Sequence, residues 1–366
     1  MLKGSRRLAI ILAVQIVSLA FPSFACAFPE LIRHGYVNCT ACHVSPAGGG
    51  AVNEYGRELS KEVLSMWARE AEQQIGHGLV PAKKIPSNVI LGGDVRMIQT
   101  YRNNARVREA QFFTMQADVE AGAKVGRFTA SARVGQVERG NEKTVELRQG
   151  YLMADLSEEI HVRAGRFQPV FGLNIPEHFT AIKRVMGFVP FSETRNLEVS
   201  WTGEQWSLFS TVFLKDDASQ VGRIGRGSGF SQQLSTSFLG RDRTGISLMG
   251  AETAQGRMEA LGFHSMFGLS AEWFVLAEQD FRWDRVPGGS ALPQAIRYVR
   301  LGHEVKQGLV LSVLHEHAGT FGNNGLGIQW FPRPHFELNA QFVKTWNQKL
   351  NPSGGETGFF LAHYYL

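Results

Sequence analysis

The sequence predicts a mainly β chain, a transmembrane antiparallel β-barrel of about sixteen strands preceded by a small α-helical unit. Three observations predict it. Residues 88–366 run as short segments of alternating polarity separated by Gly, Asn, Asp and charged turns. No stretch after the first 20 residues is long and apolar enough to cross a bilayer as a helix, which leaves a closed barrel as the spanning form. The chain also ends on Phe359-Phe360-Leu361-Ala362-His363-Tyr364-Tyr365-Leu366, an aromatic-rich last segment of the kind that closes outer-membrane barrels.

The chain opens with Lys3, Arg6 and Arg7 and no acid, then an apolar run over residues 8–20 that ends in small residues. That is the pattern of a secretory signal peptide spanning 1–27, with Ala25-Cys26-Ala27 as the cleavage site and Phe28 as the first mature residue. Lipoprotein processing at Cys26 is the rival, and Ser23 and Phe24 suit it poorly. Removing Lys3, Arg6 and Arg7 leaves 35 basic and 33 acidic residues, so the net charge of +5 becomes about +2. Charge therefore gives no argument for nucleic acid.

Residues 28–87 read as a small, mostly helical unit built on Cys39-Thr40-Ala41-Cys42-His43. Cys-x-x-Cys-His is the attachment pattern of a single c-type haem. Two thiols one helical turn apart reach the two vinyl groups on one porphyrin edge, while the next imidazole turns under the ring to ligate iron. Export removes Cys26, so Cys39 and Cys42 are the cysteines left, with no spare thiol. A Cys39–Cys42 redox pair is the alternative, but it lacks the βαβ surroundings of a thioredoxin-like site. A zinc site would have to use His34, Cys39, Cys42 and His43, which are too crowded for a tetrahedral set.

His43 is thus the expected proximal iron ligand. For the distal one, His34 is the first choice, because it stands a few residues upstream and the chain can bend over the other haem face. Met66 and His77 compete. Met66 shares a helical face with Leu59 and Val63, which suits core packing, and His77 lies in Gly76-His77-Gly78, which suits a solvated loop. Five-coordinate, ligand-binding iron is the remaining arrangement. A loop over residues 45–50 follows the motif helix, and Asn53 caps a second helix running to about Ile75, with Tyr55, Leu59, Val63 and Trp67 as its apolar stripe. So short a unit buries little core, and a covalently bound haem would serve as its staple.

The strands show the alternation directly. In 111–125, Phe113, Met115, Ala117, Val119 and Ala121 oppose Thr114, Gln116, Asp118 and Glu120. Segment 269–277 sets Ala271, Trp273 and Val275 against Ser270 and Glu272, and 336–346 sets Leu338, Ala340 and Phe342 against Glu337, Asn339 and Gln341. The 25 phenylalanines and the tryptophans of this region supply interface girdles. A long interruption at 168–196, with Pro169, Pro176, Pro190, His178, Lys183 and Arg184, is either a loop folded into the lumen or an external one. Residues 215–229 and 281–293 read as external loops. Gly222, Gly225, Gly227 and Gly229 lack the following Lys-Ser/Thr of a phosphate loop. His315 and His317 share a strand face, as a metal pair would, and better suit a polar strand end.

The whole arrangement resembles the fused outer-membrane cytochrome–porin proteins best known from iron-oxidising bacteria: a leader, one Cys-x-x-Cys-His near the mature N-terminus, then one porin-like barrel. The family's lead-in runs Phe-Ala-Arg-Gln-Thr-Gly, and here it is Phe28-Pro29-Glu30-Leu31-Ile32-Arg33-His34-Gly35-Tyr36. The resemblance implies thioether attachment at Cys39 and Cys42 and proximal ligation at His43. It also implies an electron conduit in the cell outer membrane of a Gram-negative bacterium. The conduit would be embedded in outer-membrane lipid and would link an extracellular electron donor or acceptor to a periplasmic electron carrier, with the haem unit periplasmic or in the barrel lumen. Two other readings stay open, a solute-conducting porin whose haem unit is a plug or a redox or gas sensor, and a soluble periplasmic cytochrome with a β-sandwich. No catalytic triad or carboxylate pair is evident; an enzyme of this design would be a metal-ion oxidase, for ferrous iron in the family, acting through the haem.

Overall fold

A computed structural model describes residues 24–25, 28–70, 72, 74 and 85–366, apart from 140–141, 190–191, 215–225, 254–255, 290 and 348–350. Most of the predicted leader, His77, Gly222 and Gly225 lie outside the described residues. Two short strands, β1 (Phe24–Ala25) and β2 (Tyr36–Asn38), pair in parallel. The next eight strands are β3 (Val89–Asn104), β4 (Arg108–Val125), β5 (Phe128–Arg139), β6 (Glu142–Asp155), β7 (Ile160–Phe167), β8 (Thr194–Thr202), β9 (Trp206–Leu214) and β10 (Arg226–Thr236). The last eight are β11 (Asp242–Thr253), β12 (Gly256–Gly268), β13 (Trp273–Arg285), β14 (Leu292–Lys306), β15 (Leu309–Ala318), β16 (Phe321–Arg333), β17 (Phe336–Asn347) and β18 (Asn351–Tyr365). Strands β3 to β18 form one closed barrel of sixteen, each paired antiparallel with its chain neighbour, and β18 returns to β3 to close it. Closure leaves no edge and rules out the two stacked sheets of a β-sandwich.

The alternation seen in the sequence has one orientation in space. Asp118 and Glu120 point inward and are 2% and 3% exposed, while Val119 between them is 68% exposed. Glu337, Asn339 and Gln341 of β17 are likewise buried, with Phe342 outside. Apolar side chains outside and charged ones inside is the reverse of a soluble protein and is what a wall facing hydrocarbon requires. Outward aromatics gather toward the two rims: Trp206 with Phe238 and Trp273 stacked on His303 at one end, Phe281 with Trp283 at the other.

Three details depart from the sequence expectation, and one left open there is settled. A bulge at Met115, where Arg96 and Met97 pair with Gln116 and Thr114, flips the alternation, so Phe113 lies opposite the buried Ile98 on the inner side. Segment 269–272 is a turn closed by Leu269 N–H to the Trp273 carbonyl at 2.8 Å, and the strand begins at Trp273. Inside it are apolar Phe274 and Leu276, not polar residues. Residues 226–229, 281–285 and 292–293, expected in external loops, are strand. Interruption 168–193 does fold into the lumen: Phe171, Leu173, Ile182, Met186 and Phe188 pack on Phe213, Phe274, Leu276 and Ile296 of the wall.

The lumen is therefore two-sided. Strands β9 to β15 carry on their inner surface an apolar patch that the folded-in loop covers, beside charged residues such as Glu278, Asp280 and Arg300, whereas β3 to β8 line their side with Arg96, Asp118, Glu120, Arg133, Arg148, Arg163 and Glu198. The N-terminal segment plugs the end where both barrel termini and the short turns lie. It is less helical than expected, with a 3-10 helix Pro29–His34, an α-helix Glu54–Leu59 and a π-helix Ser60–Leu64. Asn53 caps the α-helix as expected, its side-chain oxygen accepting from Gly56 N–H at 2.9 Å. That helix does not reach Ile75. Ser65 turns its N–H and hydroxyl back to the Ser60 carbonyl, and Met66 and Trp67 then donate their N–H groups to Phe331 and Pro332 of the wall. Contacts with the barrel outcompete further helical turns, so Leu59 and Val63 are packed while Tyr55 and Trp67 are exposed.

Candidate functional site in the barrel lumen

Residues Cys39–His43 form a single helical turn in which Cys42 N–H and His43 N–H both donate to the Cys39 carbonyl, at 3.2 and 3.0 Å. The expected motif helix is thus one turn, held from behind by Asn53: its N–H donates to the Cys42 carbonyl at 2.8 Å and its side-chain amide to the Ala41 carbonyl at 2.5 Å. His43 then bridges to Val52. Gly48, Gly49 and Gly50 take left-handed backbone, with φ of +78°, +69° and +71°, and fold the chain tightly over the turn; a Cβ on Gly48 would lie 3.0 Å from Cys39 Sγ. Cys42 is buried among Leu31, Leu59, Leu64 and Phe331, and that burial pushes its thiol up to about 12.

The wall grips this segment around most of the circumference. Arg300 of β14 donates to Glu30 at 3.0 Å, Glu304 accepts from Arg33 at 2.8 Å, and Arg243 of β11 donates to the Val37 carbonyl and the Asn38 side chain at 2.5 Å. Arg163 of β7 donates to Ser45 Oγ at 2.8 Å, Ala51 N–H donates to Glu120 at 3.0 Å, and Ser60 Oγ meets Tyr365 OH at 3.0 Å. Phe28 wedges edge-on between Phe331 and Tyr365.

Two cavities meet at the motif. The larger, about 240 Å³, lies between His43 with residues 45–50, the charged wall and the folded-in loop, and is lined by Arg96, Arg133, Arg148, Arg163 and His178. The smaller, about 70 Å³, is lined by Cys39, His43, Arg243, His264 and Met266. His43 and the Gly48-Gly49 backbone border both. Chemically the place offers a thiol and an imidazole facing open volume, apolar side chains to exclude water, and guanidinium groups able to hold acidic groups.

The structure brings Cys39 and His43 together on the smaller cavity and keeps Cys42, which borders neither cavity, at the foot of the same turn. His34 stands elsewhere, at the end of the 3-10 helix near the 237–241 and 269–272 turns. Burial, with Arg33 and Arg241 nearby, brings its imidazole down to about 4. It borders neither cavity. Met66 sits against the Phe331 backbone at the plugged rim, also away from the cavities and off the helical face expected for it. His77 falls outside the described residues. His315 and His317 lie on β15 toward the open end, where His315 Nδ1 is 2.8 Å from the Asn324 side-chain oxygen, as a polar strand end would have it. Among the described residues no group of three or more His, Cys, Asp or Glu could hold a bare metal ion.

The arginines of β3 to β7 and His264 border the cavities without having been singled out in the sequence. The arginines could have been found, since Arg133, Arg148 and Arg163 fall among residues of the polar strand phase. His264 carried no such signal, being one histidine in a strand more than 200 residues from the motif.

A closed sixteen-strand barrel with a loop folded into its lumen defines a porin-like fold. No protein-family model matches the chain, and no curated protein matches it. Solved structures do. OmpT of Vibrio cholerae, in a form lacking loop L8, aligns with a TM-score of 0.60 and 9% identity, covering 76% of this chain and 99% of that one. The outer membrane channel DcaP of Acinetobacter baumannii gives 0.55 and 11%, over 76% and 97%. An anion-selective porin from Comamonas acidovorans gives 0.58 and 8%, over 76% and 99%. At these identities the likeness is one of fold.

Proposed function

We propose that this chain is an outer-membrane electron-transfer protein in which one c-type haem, tethered to Cys39 and Cys42 and ligated by His43, relays electrons between an extracellular partner and a periplasmic carrier. One observation carries the reading: the Cys-x-x-Cys-His turn, part of the plug, lies inside the barrel and faces a cavity bordered by the folded-in loop, where a group bound to it would be insulated by the wall. The residues fit the group. Cys39 and His43 face open volume, the turn places Cys42 on the same helical rise, and between the two cavities stand Gly48 and Gly49, without bulky side chains. When bound, the haem supplies one-electron exchange at iron. The chain's own part is to hold the imidazole through the Val52 bridge, to exclude water with Phe28, Val52 and Phe171, and to present Arg96, Arg133 and Arg163 to acidic groups. The outward apolar wall with aromatic rims supports residence in lipid, and the likeness to outer-membrane barrels supports which membrane.

Reconstituted vesicles test it. With an oxidised redox dye trapped inside and an impermeant reductant outside, the parent protein is expected to reduce the dye, and His43→Ala to abolish the reduction. Equal reduction by both would overturn the reading. The second reading, a solute channel with this segment as its plug, is favoured by the arginine-lined cavity and by neighbours described as a channel and an anion-selective porin. It requires that the same vesicles leak small anions, which the electron-transfer reading does not.

A further inference from the structure

We infer that His264 of β12 is the second axial ligand of the iron, opposite His43. This rests on the haem reading above and adds to it a ligand from the barrel wall in place of one from the N-terminal unit.

The smaller cavity puts His264 together with Cys39 and His43. The residue is only 2% exposed, yet its ring is poorly satisfied: Nδ1 has no hydrogen-bond partner among the described residues, and Nε2 has only long contacts, 3.3 Å to Ser235 Oγ and 3.5 Å to the Gln233 side-chain nitrogen. A buried imidazole left in that state costs stability unless something absent from the polypeptide satisfies it. Iron supplies that partner, because neutral imidazole is its ordinary nitrogen ligand. The wall also makes room for the ring. Gly245 on the neighbouring β11 lies directly across from His264, and a Cβ there would fall 2.6 Å from the imidazole Cε1.

The competitors are otherwise engaged. On the larger cavity, His178 accepts from Arg96 at 3.1 Å, and that guanidinium is itself clamped by Asp94. His363 is held between Glu337 at 2.8 Å and Asp94 at 3.3 Å. Met266, two residues along β12, borders the small cavity too, but it packs against the apolar cluster beneath the folded-in loop.

The test is the visible spectrum of the detergent-purified full chain, oxidised and reduced, with and without carbon monoxide. Folding of each variant is checked by heat-modifiable electrophoretic mobility. The parent should be low-spin and indifferent to carbon monoxide. His264→Ala should give high-spin reduced iron that binds carbon monoxide, and added imidazole should restore the low-spin spectrum. His264→Met, which keeps a ligand of similar reach, should stay low-spin but gain the charge-transfer band of thioether ligation; this arm decides if the alanine variant does not fold. The inference is overturned if His264→Ala stays low-spin without imidazole, if His264→Met matches the parent, or if Met266→Leu or His178→Ala produces the high-spin change instead. A parent with no covalent haem overturns the functional reading itself, so the two failures are distinguishable.

Discussion

Arg300 shows at the scale of one residue how the plug is locked. It is 1% exposed and donates at 3.0 Å both to Glu30 of the N-terminal segment and to Glu177 of the folded-in loop, with Gln329 taking its other nitrogen. Arg300→Met should destabilise the protein by about 3–5 kcal/mol, since it leaves two buried carboxylates without their cation; chemical unfolding followed by tryptophan fluorescence measures this, and a loss below about 1 kcal/mol would show that the clamp contributes little. Burial holds the Glu177 carboxyl above its ordinary range and Glu30 adds to the rise, while Arg300 opposes it. The folded state thus binds that proton more tightly than the unfolded chain does, so the stability it contributes is present below pH 4.5 and is lost as the pH rises toward about 7. Glu177→Gln should flatten that part of the stability–pH curve, and an unchanged slope between pH 4.5 and 7 would contradict the assignment. At this scale the sequence showed Cys39, Cys42 and His43 plainly, because covalent chemistry imposes a spacing that a chain can be searched for. It showed neither Arg300 nor the role proposed for His264, since both depend on neighbours distant along the chain.

Among the elements, the motif turn depends on a cap it does not contain. Asn53 closes the following α-helix and also holds the Ala41 and Cys42 carbonyls. Asn53→Ala should cost on the order of 1 kcal/mol and lower the fraction of chains carrying haem; full loading in that variant would mean that the turn holds its shape unaided. The cap was legible from its residue type, whereas the helix length was not, since the apolar stripe continued past Leu64 but the Phe331 and Pro332 carbonyls captured the next N–H groups. The bulge at Met115 and the turn at 269–272 were hidden for a related reason: one inserted residue or one short turn leaves a local alternation looking unbroken. The inward fold of 168–193 follows from its own composition once the apolar patch inside β9 to β15 is known.

For the whole molecule, strand number and closure were legible because every strand repeats one physical demand, an apolar side chain outward at every second position. Leu248, near the middle of β11 and exposed outward, tests that demand. Leu248→Arg should weaken folding into vesicles by about 2–4 kcal/mol if it lies near the bilayer midplane, as read from a titration with urea, and should cost almost nothing if that face meets water. The sequence left the N-terminal segment either periplasmic or in the lumen and did not decide between them, because its anchors are scattered over the ring, from Glu120 to Arg300 and Tyr365, with no local pattern. Its position in the lumen is what joins the two halves of the account, a lipid-embedded wall and the turn proposed to carry the haem. The most direct measurement is a pyridine haemochrome spectrum, with intact mass, of protein extracted by detergent from outer membranes, beside Cys42→Ala. A covalent c-type spectrum in the parent that is disturbed or lost in the variant is the predicted result; a parent polypeptide with no added porphyrin mass contradicts the account.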